Sequence, residues 1–226
     1  VLGGLALAMG YSVVVGWILK YLWGSITGSV LASESIGAYF GGTASSFGSV
    51  GWHLLGLAIT FAVMLFGIQG GIEKMNKVMI PLFYALFLVL AVRVFTLGNA
   101  SAGYRYLFVP DWSALLQVKT WVYALGQAFF SLSLAGTGTV VYGSYLREDQ
   151  DIPASARTIA LFDTLAALLA ALVIIPAVFA YGLDPASGPP LMFITMPTVF
   201  QQMPGGSVFM IVFFVAVLLA ALTSLV

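Results

Sequence analysis

Apolar residues run through this chain in blocks of about 20, each closed by a short cluster of glycine, proline or charged residues. A block of that length matches the hydrocarbon thickness of a bilayer, whereas a helix lying half in water shows an apolar stripe of period 3.6. The pattern predicts six spans, near 1–26, 51–68, 78–97, 120–146, 154–181 and 207–226. Between the first two, 28–50 is rich in glycine, serine and threonine and reads as an outside loop with a short helix near 33–40. Gly70 and Gly71 end the second span, Ile72-Glu-Lys-Met-Asn-Lys77 reads as a polar connector, and Pro81 falls in the first turn of the third span, where proline is tolerated. A polar loop over 98–119 carries Pro110-Asp-Trp, a start for a short surface helix. Arg147-Glu-Asp-Gln-Asp151 must lie in water, and 184–206, with Pro185, Pro189, Pro190, Pro197 and Pro204, reads as an irregular loop. The predicted class is all-α: a polytopic membrane helical bundle forming one transmembrane domain over 1–226.

Composition agrees with lipid as the solvent. Of 226 residues, 61% are hydrophobic and 7% charged, against roughly 25% charged in soluble domains. The formal net charge is zero and the basic residues are scattered, which argues against nucleic acid as a partner. Cysteine is absent, so disulfides and thiolate metal sites are excluded. The single histidine, His53, follows Trp52 at the head of a span and reads as an interfacial residue. Lys74, Lys77, Arg147 and Arg157 fall on one side, which the positive-inside rule makes cytoplasmic, although Arg105 and Lys119 fall opposite. The chain begins at Val1 and ends at Val226 inside apolar runs, which predicts a fragment of a longer transporter-sized protein, unable to transport by itself.

The fourth span departs from plain hydrophobicity. Its centre, Gly126-Gln-Ala-Phe-Phe-Ser-Leu-Ser-Leu-Ala-Gly-Thr-Gly138, is dense in small and hydroxyl residues. In hydrocarbon an unwound turn survives only inside protein or beside a cavity, where bare carbonyls suit a cation and helix-start amides suit an anion. The same composition also makes a close-packing face between helices, so composition leaves both readings open. Asp163 favours the first. It lies deep in the fifth span with no lysine or arginine at its depth in that span or the fourth, and such an acid costs roughly 2.5–3.5 kcal/mol at a helix centre. It therefore calls for a cation or a proton. In the sixth span, Thr223 and Ser224 either bond back to the preceding turn or offer oxygens to a hard cation. Tyr11, between Gly10 and Ser12, needs a partner for its hydroxyl, from a neighbouring helix or a substrate carboxylate.

Four stretches together resemble one family in order along the chain: Tyr11-Ser-Val-Val-Val-Gly-Trp17, Gly71-Ile-Glu-Lys-Met-Asn-Lys-Val-Met-Ile-Pro81, Gly126-Gln-Ala-Phe-Phe-Ser-Leu-Ser-Leu134 and Tyr145-Leu-Arg-Glu-Asp-Gln-Asp-Ile152. The chain resembles the neurotransmitter:sodium symporters, in particular their bacterial amino-acid-transporting branch, and this family is itself a type case of transporters with broken helices. The resemblance implies the third to eighth helices of an inverted-repeat fold with one discontinuous helix. It implies that Tyr11 bonds a substrate carboxylate, that Leu7 lines the side-chain pocket, and that Phe130 caps the substrate. Ser133 and the unwound backbone would also hold the substrate. Ser131 and Asp163 would ligate one sodium ion, and the Ala220 carbonyl, Thr223 and Ser224 a second, each site being incomplete here. Tyr145 would belong to the cytoplasmic gate.

Two positions depart from the family pattern. Asp163 stands where many members have asparagine, and its charge implies transport without chloride, which animal members use to supply a negative charge nearby. Gly136 stands where a bulky apolar residue often walls the pocket, which implies room for a larger side chain, such as an aromatic one. The expected activity is sodium-coupled symport of a hydrophobic or aromatic amino acid across the cytoplasmic membrane of a bacterium. The alternative is a membrane sensor on the same scaffold that binds an amino acid without accumulating it. An enzyme is disfavoured, since paired carboxylates and a buried histidine are missing from the predicted membrane depth.

Overall fold

A computed structural model describes residues 2–67, 71–134, 138–146, 148–185 and 188–225, and among them every regular element is helical. Helix α1 (Leu2–Ile26) runs to a loop, α2 (Ile36–Ala44) and α3 (Val50–Leu65). Then come α4 (Glu73–Phe95), the short α5 (Ser101–Phe108), a 3₁₀ turn at Trp112–Leu116, α6 (Val118–Ser131) and α7 (Gly138–Gly143). Finally α8 (Ile152–Ala180), a π turn at Leu191–Thr195, α9 (Met196–Gln202) and α10 (Gly206–Leu225) complete the order. Four of these, α1, α4, α8 and α10, are long and apolar enough to cross a membrane.

Helix α10 lies between α1 and α4; α3 packs on the other side of α1, and α8 packs on α4 and carries α5. The core is concentrated where α1, α4, α9 and α10 converge, around Val15, Ile18, Tyr21, Phe87, Met196, Met210, Phe213 and Phe214. Aromatic edges hold this end together: Tyr21 lies 5.1 Å from Phe193 and 5.3 Å from Phe214 between ring centroids, and Phe40 stacks on Phe193 at 5.4 Å. Such pairs add to the burial of their area.

Glycine sets the crossing of α1 and α3. A Cβ placed on Gly16 would lie 2.8 Å from the His53 backbone nitrogen, so no larger residue permits this approach. The contact gives His53 a partner. Its Nε2 lies 2.8 Å from Ser12 Oγ, while that hydroxyl also donates to Met9 O at 2.8 Å. The ring therefore faces the neighbouring helix through Ser12, one residue beyond Tyr11.

Several boundaries differ from the expected ones, each for a local reason. The short helix near 33–40 runs instead over Ile36–Ala44, because Ser35 caps it by accepting from Ala38 N at 3.2 Å. The connector expected at 72–77 is already helix: Glu73 sits in the first turn of α4, where an acid suits the dipole, and pairs with Lys77 at 2.6 Å. Pro81 is thereby inside α4 rather than in its first turn. The proline-rich 184–206 stretch contains α9, which continues directly from the π turn with Pro197 as its second residue. Met196 and Val199 are fully buried, so this stretch is core and not only a connection.

The fourth predicted span is two helices, α6 and α7, with a break between them. The end of α6 satisfies its own carbonyls: Leu134 N donates to Phe129 O at 3.0 Å and Ser133 N to Phe130 O at 3.1 Å. That pair of bonds is the Schellman pattern, which places the residue after the cap in the left-handed region. The residue here is Ser133, with φ 55°, where glycine is usual.

Candidate functional site

The break in α6–α7 opens onto a cavity of about 440 Å³. Leu7 and Tyr11, one turn apart on α1, form one wall; Gln127, Phe130, Ser131 and Ser133 form another; Asp163 comes from α8 and Ser224 from α10. Spacing explains the grouping, since residues four apart share a helix face, as Leu7 with Tyr11 and Gln127 with Ser131. In its wall Ser131 Oγ donates to Asp163 Oδ1 at 2.6 Å, the short distance of a hydrogen bond to a charged acceptor.

A second cavity, of about 430 Å³, lies on the other side of Asp163, with Tyr84, Phe162, Ala220, Thr223 and Ser224 in its wall. Thr223 Oγ1 and Ser224 Oγ both donate to Ala220 O, at 2.8 and 3.1 Å. Each hydroxyl has used its one proton in this back-bond and keeps lone pairs to offer. A third cavity, of about 770 Å³, contains Ser131, Ser133, Ser224 and Tyr145. Asp163 thus borders the first two cavities, and Ser224 borders all three.

The described walls of all three contain no lysine, arginine or histidine. Asp163 is the single carboxylate among them, so it sets the sign of the local field. Its neighbours are hydroxyls and carbonyls, a donor set that suits a hard monovalent or divalent cation and not a soft metal. Among the described residues no cluster of three His, Cys, Asp or Glu side chains forms a metal site. The Tyr11 hydroxyl is half-buried at the first cavity and makes no hydrogen bond among the described residues.

The structure therefore gathers Leu7, Tyr11, Phe130, Ser131, Ser133, Asp163 and Ser224 at one cavity, and Ala220 and Thr223 at the next. Tyr145 stands at the third. Gly136 lies outside the described residues. Gln127 and Tyr84 join the walls without having been singled out from sequence. A polar residue one turn from Ser131 on an apolar helix was the available signal for Gln127. Tyr84, an isolated tyrosine in an apolar span, offered less.

This is a polytopic membrane bundle in which one predicted span is broken beside a cavity. Residues 39–226 match the sodium:neurotransmitter symporter family. The chain is 42% identical over 217 residues to the uncharacterized sodium-dependent transporter YhdH of Bacillus subtilis, covering 95% of this chain and 48% of that protein. It is 32% identical to the uncharacterized sodium-dependent transporter MJ1319 of Methanocaldococcus jannaschii, covering 100% of this chain and 50% of the relative. Among solved structures it superposes on MhsT in complex with L-phenylalanine with a TM-score of 0.88 and 38% identity, over 99% of this chain and 51% of that one. The chain belongs to the sodium:neurotransmitter symporter family. It spans about half the length of the relatives it matches.

Proposed function

We propose that the protein carries out sodium-coupled symport of an amino acid across the cytoplasmic membrane by alternating access, with a hydrophobic or aromatic side chain preferred and without chloride. The observation that carries this reading is the Ser131–Asp163 bond of 2.6 Å in a cavity shared with Tyr11 and Phe130. Sodium is cargo in this scheme, drawn to the single carboxylate among the described wall residues.

In this reading the Tyr11 hydroxyl binds the substrate carboxylate, while Leu7, Phe130 and the small Gly136 shape the space for its side chain. Ser133 and the backbone that its left-handed turn exposes hold the substrate's polar end. Ser131 and Asp163 hold one sodium, and the Ala220 carbonyl with Thr223 and Ser224 holds a second. Tyr145 closes the inner side. The relative crystallised with L-phenylalanine supports an aromatic substrate class. The fixed charge of Asp163 takes the part that chloride plays in animal members, which supports chloride independence.

The test is uptake of L-phenylalanine by the full-length protein in proteoliposomes. An inward sodium gradient should drive accumulation, and replacing chloride with gluconate should leave it intact. Binding without accumulation would favour a sensor; collapse in gluconate would refute chloride independence.

A further inference from the structure

Helices α4 and α8 pack side by side. Where they meet, the Tyr84 hydroxyl donates to the Phe162 backbone carbonyl at 2.8 Å, and the two rings stand edge to face with centroids 6.3 Å apart. Phe162 lies inside α8, so its carbonyl also serves the helix; the second lone pair is what tyrosine uses. The next residue is Asp163, whose carboxylate takes the Ser131 hydroxyl at 2.6 Å. The two bonds therefore hold α8 at one level, α4 through the Phe162 main chain and α6 through the Asp163 side chain.

Tyr84 also sits in the wall of the second cavity, together with Asp163, Thr223 and Ser224. The other α4 residues in that wall, Met79, Ile80 and Phe83, are apolar, so its hydroxyl is the polar group α4 brings to it. Its bond falls one residue from the carboxylate that carries the proposed site.

We infer that Tyr84 is a positioning residue: by holding the Phe162 carbonyl it fixes the rotation of α8 that presents Asp163 to Ser131, and so sets the affinity for sodium at that pair. This rests on the proposed role of Ser131 and Asp163 as sodium ligands. Tyr84→Phe removes the hydroxyl and keeps the ring, so the packing between α4 and α8 survives.

The experiment is equilibrium binding of radioactive sodium to the purified full-length protein, with thermal unfolding recorded in parallel. Tyr84→Phe should raise the half-saturating sodium concentration about fivefold, the size of one neutral hydrogen bond. In an Asp163→Asn background, itself weakened, the same change should add less than about twofold, because residues acting through one another are not additive. Sodium affinity unchanged in Tyr84→Phe, whatever happens to the unfolding temperature, overturns the positioning role while Asp163→Asn still binds sodium poorly. An equal effect in both backgrounds overturns it as well. Unchanged binding in Asp163→Asn would instead refute the site, and the positioning role with it.

Discussion

The two ends of the bundle are built differently. At one end α1, α9 and α10 bury Tyr21, Phe193, Met196, Phe213 and Phe214 almost completely. At the other, where the cavities lie, neither α6 nor α7 has a buried residue, and the buried residues of α8 begin only at Val173, ten positions past Asp163. Phe214 is 0% exposed and Phe130 is 48% exposed, although both are phenylalanines on apolar helices. Within these residues, about half the length of the relatives, one end is packed on itself and the other lines the cavities with polar groups.

Truncating a large side chain at each end is the strongest way to break that contrast. Phe214→Ala should cost about 3–5 kcal/mol of folding stability. Phe130→Ala, at a cavity wall and not in the packed core, should cost less stability than Phe214→Ala while weakening amino-acid binding. Unfolding of the full-length variants in detergent gives the comparison, and equal losses would erase the distinction between the ends.

The crossing of α1 and α3 links the two ends and should respond less strongly. Gly16→Ala puts a Cβ 2.8 Å from the His53 nitrogen and 2.9 Å from its Cα, both backbone atoms that cannot turn away. The expected loss is about 1–3 kcal/mol. Parting the helices there also strains the Ser12–His53 bond beside Tyr11, so amino-acid affinity should fall together with stability. A stability loss with unchanged affinity would show that Tyr11 is placed independently of this crossing.

The smallest effect is expected at the turn after α6. Ser133 holds φ 55°, a conformation that costs an L-residue roughly 1–2 kcal/mol. Ser133→Gly relieves that strain but adds freedom to the unfolded chain, so stability should change by no more than about 1 kcal/mol. Substrate binding should fall nevertheless, because the hydroxyl is lost. Unchanged binding would remove Ser133 from the site and leave the turn a purely structural device.

Much of this arrangement was readable beforehand. The long spans follow from the length of their apolar runs, and Asp163 from the cost of a lone acid in such a run. The break in the fourth span was suggested by its glycines and hydroxyls, yet its geometry was hidden, because the left-handed position is occupied by Ser133 and not by one of the glycines nearby. Helix α9 was concealed by prolines, which disfavour helix interiors; Pro197 is accommodated directly after the π turn. His53 and Tyr84 were out of reach for another reason. Their partners, Ser12 and Phe162, are 41 and 78 residues away in the chain, and nothing local announces either bond.

The central claim, that Asp163 and Ser131 couple sodium to an amino acid bound beside Tyr11, is tested most directly by equilibrium binding of L-phenylalanine to the full-length protein in sodium and in choline. The account predicts tight binding in sodium and a loss of at least about tenfold in choline, with Ser131→Ala needing more sodium to reach half-saturation. Equal affinity for L-phenylalanine in the two salts would contradict it.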